Sequence, residues 1–342
     1  MSSIPPAGER IPVTILTGFL GSGKTTLLNR ILREQHGRRI AVIENEYGEA
    51  GIDNEILLQE RDEQIVVMNN GCICCSVRGD LARLLGELEG RRREGALDFE
   101  RVVIETTGLA DPAPVAQTFF MHMDVARAYV LDAIITLVDA RHAPAQLDRG
   151  SEAQEQIAFA DRLLISKTDL VDAAQVEALS QRLVGLNPRA PQLRVHFGAV
   201  PVEEVLDIGG FAIDSALEID PGFLEGRAVR HDQAVGSFVF RDSRPFDPQR
   251  LDLFMRLLSQ QYGADLLRYK GVLNVYGRDS RVVFQGVHMV MGAQEGKPWG
   301  EGEPRTSTMV FIGRRLPQRV FEEGLRHCLV EGGGGRADTP PP

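Results

Sequence analysis

The chain has 342 residues and a net charge of −10, with 43% of its residues apolar and 25% charged. This composition is that of an ordinary globular protein, and it excludes fibrous, low-complexity and wholly disordered chains. At about 150 residues per domain the length predicts two domains, and the acidic balance argues against a nucleic-acid-binding protein. Residues 1–227 carry −13 and residues 228–342 carry +3. A mildly basic second domain suits docking on the acidic first domain or contact with a separate acidic partner.

The sequence predicts no membrane span, because no stretch of 18 apolar residues occurs. Residues 11–20 are fairly apolar, but Pro12 and Gly18 interrupt them and no small-residue cleavage site follows. We therefore expect a cytoplasmic protein.

Short apolar runs alternate with helix-like segments through roughly the first 200 residues. The predicted strands are residues 13–16, 40–43, 65–68, 102–105, 133–138, 162–165 and 193–196. The predicted helices are residues 25–34, 78–88, 152–160 and 173–183. This alternation predicts an α/β domain with a mostly parallel sheet, in which ligands bind at the carboxyl ends of the strands.

The alternation weakens around residues 206–230, where Gly, Pro and acidic residues dominate. We therefore expect a first domain of residues 1–215, a linker of residues 216–232 and a smaller α+β domain of residues 233–330. The predicted strands of this second domain are residues 235–240, 273–276, 282–285 and 309–312. One predicted helix starts after Asp247, and a second spans residues 317–329. The Gly/Pro-rich residues 331–342 are expected to be a disordered tail.

Residues 18–25 match the P-loop pattern G-x-x-x-x-G-K-[ST] at every fixed position, between a predicted strand and a predicted helix. In such a loop, backbone N–H groups and the helix N-terminus bind phosphate oxygens. Lys24 is then placed to bridge the β- and γ-phosphates, and the Thr25 hydroxyl to ligate Mg²⁺. The alternative, a glycine-rich turn that binds nothing, is disfavoured by this context. The predicted nucleotide-binding residues here are Gly18, Phe19, Leu20, Gly21, Ser22, Gly23, Lys24, Thr25 and Thr26.

Two further strand ends carry polar residues suited to a nucleotide. Glu105 ends a predicted strand and is placed to hold Mg²⁺ directly or through water, and the Gly108 amide to sense the γ-phosphate. Lys167 and Asp169 follow a later strand. A carboxylate there can accept two hydrogen bonds from guanine while the lysine stem packs over the base, whereas adenine offers the wrong donors. The alternatives are a strand-end glutamate beside a turn, and a solvated loop in which Asp169 caps a helix.

Three of the four cysteines, Cys72, Cys74 and Cys75, form a C-x-C-C cluster, which predicts metal chemistry rather than disulfides. Soft thiolates favour Zn²⁺ or Cu(I), and thiolates this close cannot easily complete a closed tetrahedral site. Glu44 and Glu49, on the loop after the second strand, are the natural oxygen ligands. The alternative is a set of buried or redox-active cysteines.

Together these motifs resemble the CobW-like metallochaperones, a branch of the P-loop GTPases. The resemblance covers about residues 10–329. Its motifs are residues 17–26, 44–49, 71–75 and 105–112 in the first domain, and residues 267–271, 283–287, 297–300 and 307–313 in the second. The resemblance implies a Mg²⁺-dependent GTPase that binds Zn²⁺, Co²⁺ or Ni²⁺ at the C-x-C-C motif and delivers it to a client protein. The chain departs from the family pattern in two ways. Ser166 stands where Asn is typical of the GTPase guanine motif, and the His-rich stretch found in some members is absent.

By this resemblance Lys24, Thr25 and Glu105 serve GTP hydrolysis, and we expect turnover to be slow because no arginine finger is evident. We expect GTP, a transition-metal ion and a client as partners, neither nucleic acid nor a membrane, and a homodimer as an open option. Two other functions stay open: a non-catalytic zinc sensor or interaction protein, and a P-loop kinase for a small molecule.

Overall fold

A computed structural model describes residues 10–34, 37–44, 66–69, 77–108, 110–211 and 234–330. These residues form a seven-stranded and a five-stranded sheet with their helices, as expected for an α/β domain followed by a smaller α+β domain. No helix of these ranges is long and apolar enough to cross a membrane. The predicted linker of residues 216–232 and the predicted tail lie outside the described residues.

The first sheet is parallel throughout and contains every strand predicted for this domain. Its strands lie in the order β3-β2-β4-β1-β5-β6-β7 and are β1 (Ile11–Gly18), β2 (Ile40–Glu44), β3 (Val66–Asn69), β4 (Arg101–Glu105), β5 (Tyr129–Asp139), β6 (Arg162–Ser166) and β7 (Gln192–Val195). Strand β1 is central, so the loop that follows it lies between the loops that follow β4 and β5.

The helices of this domain are α1 (Lys24–Arg33), α2 (Val77–Arg93), α3 (Pro112–Met121), α4 (Met123–Ala128), α5 (Ala143–Arg149), α6 (Ser151–Phe159) and α7 (Ala173–Leu186). The predictions omitted α3, α4 and α5. Helix α3 is mostly buried and therefore lacks an apolar stripe of helical period, although Asp111 caps it and Pro112 begins it. Helices α4 and α5, of 6 and 7 residues, are too short to establish a period.

The second sheet is antiparallel, with the order β11-β10-β9-β12-β8. Its elements are β8 (Val235–Asp242), α8 (Pro248–Tyr262), β9 (Leu266–Leu273), β10 (Ser280–Val287), β11 (Val290–Pro298), β12 (Ser307–Arg314) and α9 (Gln318–His327). The Asp247 carboxylate caps α8 by accepting the backbone N–H groups of Gln249 and Arg250, both at 2.9 Å.

One strand prediction in this domain was wrong, and one strand was omitted. The expected strand at residues 273–276 lies instead at Leu266–Leu273. Its apolar pattern is interrupted by Arg268 and Lys270, which are buried, 2% and 1% exposed, in the folded protein. Strand β11 was missed because it is a largely exposed edge strand with few apolar residues.

One buried apolar cluster extends from the first domain into the second. Phe159 and Leu163 of the first domain belong to the same buried cluster as Leu267, Val287 and Val310 of the second. The second domain is therefore docked directly on α6 and its surroundings.

Candidate functional site

The loop between β1 and α1 has the backbone conformation that its glycines require. Gly18, Gly21 and Gly23 have φ angles of 137°, 75° and 103°, in the region that residues with a Cβ rarely adopt. A Cβ on Gly18 would also collide with the carbonyl oxygen of Leu137 on neighbouring β5. The P-loop thus needs glycine both for its curvature and for its close approach to the sheet.

Lys24, the first residue of α1, is buried beneath this loop. Its Nζ donates to the carbonyl oxygens of Gly18 at 2.8 Å and Phe19 at 3.3 Å. Burial lowers the pKa of Lys24, and the nearby Glu105 carboxylate opposes that shift. The loop therefore folds around a cation that faces its backbone carbonyls.

The Thr25 hydroxyl and the Glu105 carboxylate meet across neighbouring elements. The Thr25 Oγ1 donates to Glu105 Oε1 at 2.9 Å. Strand β4 pairs with β1 and sets Glu105 beside Leu16, so β4 ends where the P-loop begins. A hydroxyl and a carboxylate oxygen are ligands that Mg²⁺ prefers, and the pair fits a site for that ion beside bound phosphates.

The segment after β4 lies directly against the P-loop. The Thr106 hydroxyl donates to the Thr17 hydroxyl at 2.9 Å. A Cβ on Gly108 would lie 2.5 Å from the backbone nitrogen of Leu20, so this close approach admits only glycine. Gly108 therefore lies directly against the P-loop.

The predicted base-reading segment is fixed to the P-loop at two points. The Ser166 hydroxyl donates to the carbonyl oxygen of Ser22, and the Lys167 Nζ to that of Gly21, both at 2.7 Å. Lys167 itself adopts a left-handed backbone conformation with φ of 56°. The Ser166 hydroxyl thus holds the start of this segment against the P-loop.

Asp169 lies in a short 3₁₀ helix, Thr168–Leu170, immediately after this contact. Its carboxylate is half-exposed and lies 3.5 Å from His196 Nδ1, in the segment that follows β7. The carboxylate is thus accessible at the same edge of the sheet as the P-loop.

Sequence reasoning missed two buried residues that support this edge. Asp139, at the end of β5, accepts from Lys167 Nζ at 2.7 Å and from His142 Nδ1 at 2.9 Å. Burial works to raise the pKa of Asp139, but the hydrogen bonds from Lys167 and His142 outweigh it and hold the pKa below its ordinary value. The signal that could have found Asp139 is its position at a strand end beside β1.

The second missed residue is Gln156 of α6, which is 2% exposed. Its Nε2 donates to the carbonyl oxygens of Gly108 and Ala110, both at 3.1 Å. No spacing in the sequence pairs a helix glutamine with a loop some 50 residues earlier, so this contact emerges only from the fold.

The remaining predicted nucleotide residues differ in accessibility. Phe19 is partly buried against the core, whereas Leu20 is 74% exposed. Ser22 is buried, and Thr26 is exposed in the first turn of α1. All of them lie on the loop or helix turn that faces the β4 and β6 strand ends.

Most of the predicted metal ligands lie outside the described residues. Cys72, Cys74, Cys75 and Glu49 are among these, and only the backbone of Glu44 is described. Glu44 ends β2 in register with Glu105 of β4 and Asn69 of β3. Strand β2, which precedes Glu49 in the chain, is therefore adjacent to the strand of Glu105, and β3, which precedes the cysteines, lies one strand further along the sheet.

Elsewhere in the described part of the chain, no group of three or more His, Cys, Asp and Glu side chains could hold a metal ion. Cys328 is buried in the core of the second domain.

Comparison with known proteins gives matches across nearly the whole chain. The model "CobW/HypB/UreG, nucleotide-binding domain" matches residues 12–194, and "Cobalamin synthesis protein cobW C-terminal domain" matches residues 235–329. The zinc chaperone YjiA of Escherichia coli is 43% identical over 92% of this chain and 99% of its own. The zinc chaperone CobW of Pseudomonas aeruginosa is 33% identical over 94% of this chain and 92% of its own.

The fold agrees with a solved structure. The crystal structure of the Zn(II)-bound YjiA GTPase from E. coli matches with a TM-score of 0.76 and 37% identity, covering 93% of this chain and 99% of that one. A Zn(II)-bound triple mutant of the same GTPase, with one glutamate and two cysteines replaced by alanine, also matches with a TM-score of 0.76.

Proposed function

We propose a function from the premise that this chain belongs to the CobW/HypB/UreG family, whose nucleotide-binding model spans more than half of it. The chain is a GTP-hydrolysing zinc chaperone: it binds GTP and Mg²⁺ at the P-loop edge and a transition-metal ion at the C-x-C-C motif. The observation that carries the proposal is the convergence of Lys24, Thr25, Glu105 and Gly108 on one loop.

Each group at this edge has a role in hydrolysis. The P-loop amides and the Lys24 ammonium bind the phosphates and offset the charge that develops during transfer. Thr25 and Glu105 hold Mg²⁺, which neutralises phosphate charge when bound. The Gly108 amide is placed to contact the terminal phosphate, so the segment after β4 distinguishes GTP from GDP. Turnover is slow, since no arginine finger is identified in the sequence.

Guanine selectivity rests on Asp169, whose exposed carboxylate accepts the two donors of the guanine edge. The Lys167 stem lies along the base, because its ammonium is held by Asp139 and the Gly21 carbonyl. Ser166 keeps this segment against the P-loop in place of the more usual Asn. Base recognition is therefore retained despite the substitution.

The metal-binding half of the proposal is supported by the relatives and by strand register. Both chaperone relatives are zinc chaperones by name, and the zinc-bound mutant replaces one glutamate and two cysteines. Cys72, Cys74 and Cys75, with Glu44 or Glu49, are the corresponding ligand types in this chain. Zinc is the metal that the chain delivers to a client protein, and Co²⁺ and Ni²⁺ compete for the same site. A homodimer is the alternative to a monomeric chaperone.

The nucleotide and metal sites are coupled through neighbouring strand ends. Glu44 and Glu105 are register partners on β2 and β4, and Glu105 bonds to Thr25 of the P-loop. A change in the nucleotide-contacting groups is thereby transmitted to the segments that carry the metal ligands.

The decisive experiment is zinc competition against a chromogenic chelator, with GDP or a non-hydrolysable GTP analogue bound. We expect zinc affinity to differ at least tenfold between the two nucleotides, and Cys74→Ala to lose the site. Cys328→Ala, which removes a cysteine from the second domain, serves as the control and should bind zinc like the parent. Equal zinc affinity with both nucleotides would contradict the coupling.

Two observations would favour the alternative functions. A zinc sensor without catalysis would hydrolyse GTP no faster than its Lys24→Ala variant. A small-molecule kinase would prefer ATP and would transfer phosphate to an acceptor other than water. Asp169 argues against the second, since a guanine-reading carboxylate serves no purpose in an ATP site.

A further inference from the structure

Phe197 is an exposed aromatic residue held in a strained backbone conformation. Its side chain is 74% exposed, and its φ angle is 47°. A left-handed conformation is a true outlier for a bulky residue, and strain of this kind concentrates where a ligand is bound. Packing in the core does not account for this conformation, because the ring is exposed and lies in edge-to-face contact with the exposed His196, at a centroid distance of 4.6 Å.

The residues on either side of Phe197 place it between two parts of the proposed nucleotide site. His196 Nδ1 lies 3.5 Å from the Asp169 carboxylate. Gly198 lies against α1, since a Cβ there would be 3.0 Å from the Cα of Leu27 and 3.3 Å from the Thr26 carbonyl oxygen. A tight turn, closed by the Ala199 N–H bonding to the His196 carbonyl at 2.9 Å, fixes all three residues.

We propose that Phe197 stacks on the purine base of the bound nucleotide and forms one wall of the base site. This inference rests on the proposed function, because it presumes that Asp169 reads a guanine edge. Asp169 supplies selectivity through hydrogen bonds, and Phe197 supplies affinity through a face that every purine offers. The tight turn fixes the backbone that carries the ring, so mainly the side-chain torsions of Phe197 have to be ordered on binding.

The two roles predict different effects. Removing the ring weakens binding of all purine nucleotides by a similar factor and leaves the preference for guanine intact. Removing the Asp169 carboxylate reduces that preference. Stacking on an aromatic side chain corresponds to roughly a 5- to 150-fold change in Kd.

The test measures GTP, GDP and ITP dissociation constants for a set of substitutions in the full chain. Phe197→Ala and Phe197→Asn both remove the ring, and Asn also tolerates the left-handed backbone, so a loss with both variants is not a backbone effect. Phe197→Tyr should retain parental affinity. Tyr276→Ala, which removes another exposed aromatic side chain in the second domain, is the matched control and should bind like the parent.

A spectroscopic readout tests contact directly. Trp299 is the single tryptophan, so Phe197→Trp in a Trp299→Phe background places one indole at the proposed site. Its fluorescence should be quenched on GTP binding, with the same midpoint as the binding curve.

Unchanged fluorescence, or parental GTP affinity in both ring-deletion variants, would overturn the stacking role. A parent protein that binds no guanine nucleotide would instead overturn the proposed function. Wild-type nucleotide binding combined with lost client binding in Phe197→Ala would assign the ring to a protein interface and reject stacking.

Discussion

The side-chain amide of Gln156 donates to the backbone carbonyl of Gly108 at 3.1 Å, and so joins α6 to the segment that lies against the P-loop. The same amide nitrogen also donates to the carbonyl of Ala110. On its other side, the Gln156 backbone carbonyl accepts from the Thr136 hydroxyl of β5 at 2.9 Å. The position of the Gly108 segment is therefore set by a buried helix residue as well as by the P-loop.

The neighbours of Gln156 on α6 hold the second domain. Gln154 Oε1 accepts from the backbone N–H of Val235, at the start of β8, at 3.0 Å. The Glu155 carboxylate pairs with Arg314, at the end of β12, at 2.7 Å. Three consecutive residues thus link the Gly108 segment to one end of the β8–β12 pair, where Val235 and Arg314 are register partners.

Replacing Gln156 with Ala should reduce both stability and GTP turnover. The buried carbonyls of Gly108 and Ala110 would lose their donor, at a cost of about 1–3 kcal/mol in the free energy of unfolding. Turnover should fall several-fold because the Gly108 amide is no longer held in position. Urea unfolding and steady-state phosphate release measure the two effects. Gln181→Ala, at an exposed position on α7, should change neither; if Gln156→Ala behaves the same way, the link has no function.

Glu105→Gln tests the carboxylate that accepts from Thr25. The neutral amide keeps the shape of the side chain but removes the charge that a divalent cation requires. We expect kcat to fall about 100-fold and the Mg²⁺ concentration for half-maximal turnover to rise, whereas GDP affinity without Mg²⁺ should change little. Phosphate release across a Mg²⁺ titration measures this. Glu87→Gln, an exposed position on α2, is the control, and an unchanged Mg²⁺ requirement in Glu105→Gln would contradict the assignment.

Asp139→Asn tests the buried carboxylate that anchors Lys167. The ion pair is lost and the Lys167 ammonium keeps only its hydrogen bond to the Gly21 carbonyl. GTP and GDP affinity should both fall about tenfold, since a buried charge-assisted hydrogen bond contributes roughly 1.5–3 kcal/mol. Because the Asp139 pKa is depressed, its contribution persists at neutral pH and is lost only as pH falls through that low pKa. Calorimetric titration between pH 6 and 8 should therefore show a constant defect. Asp124→Asn, an exposed carboxylate, should bind normally.

The sequence predicted the architecture of the nucleotide edge but not what stabilises it. The P-loop glycines and the strand ends at Glu105 and Lys167 were predictable, because a motif and a parallel sheet determine where they lie. Asp139 and Gln156 were not, since each acts through a contact that depends on how distant elements pack. The strand Leu266–Leu273 was misplaced for a related reason. Arg268 and Lys270 interrupt the apolar pattern of this strand, and the partners that allow their burial belong to the first domain.

Those two residues form a buried cationic cluster at the domain junction. The Arg268 guanidinium pairs with the Asp161 carboxylate and donates to the Phe159 carbonyl. Lys270 Nζ donates to the carbonyl oxygen of Gly210 at 3.0 Å. Burial, reinforced by the nearby Arg189 charge, lowers the pKa of Lys270 to about 7, although Asp161 opposes the shift.

Lys270→Met should therefore flatten the pH dependence of stability between about pH 7 and 9. In the unfolded chain the lysine keeps its ordinary pKa and is protonated throughout this range, whereas the folded protein releases the proton as pH rises above about 7. The unfolded state then binds more protons, so the free energy of unfolding of the parent should rise with pH. Methionine has a similar shape without the titrating amine, so the variant should lose this slope. Urea unfolding at pH 7, 8 and 9 measures it, with Lys297→Met, an exposed lysine on β11, as the control. An equal slope in parent and Lys270→Met would show that the Lys270 amine is fully charged within the fold.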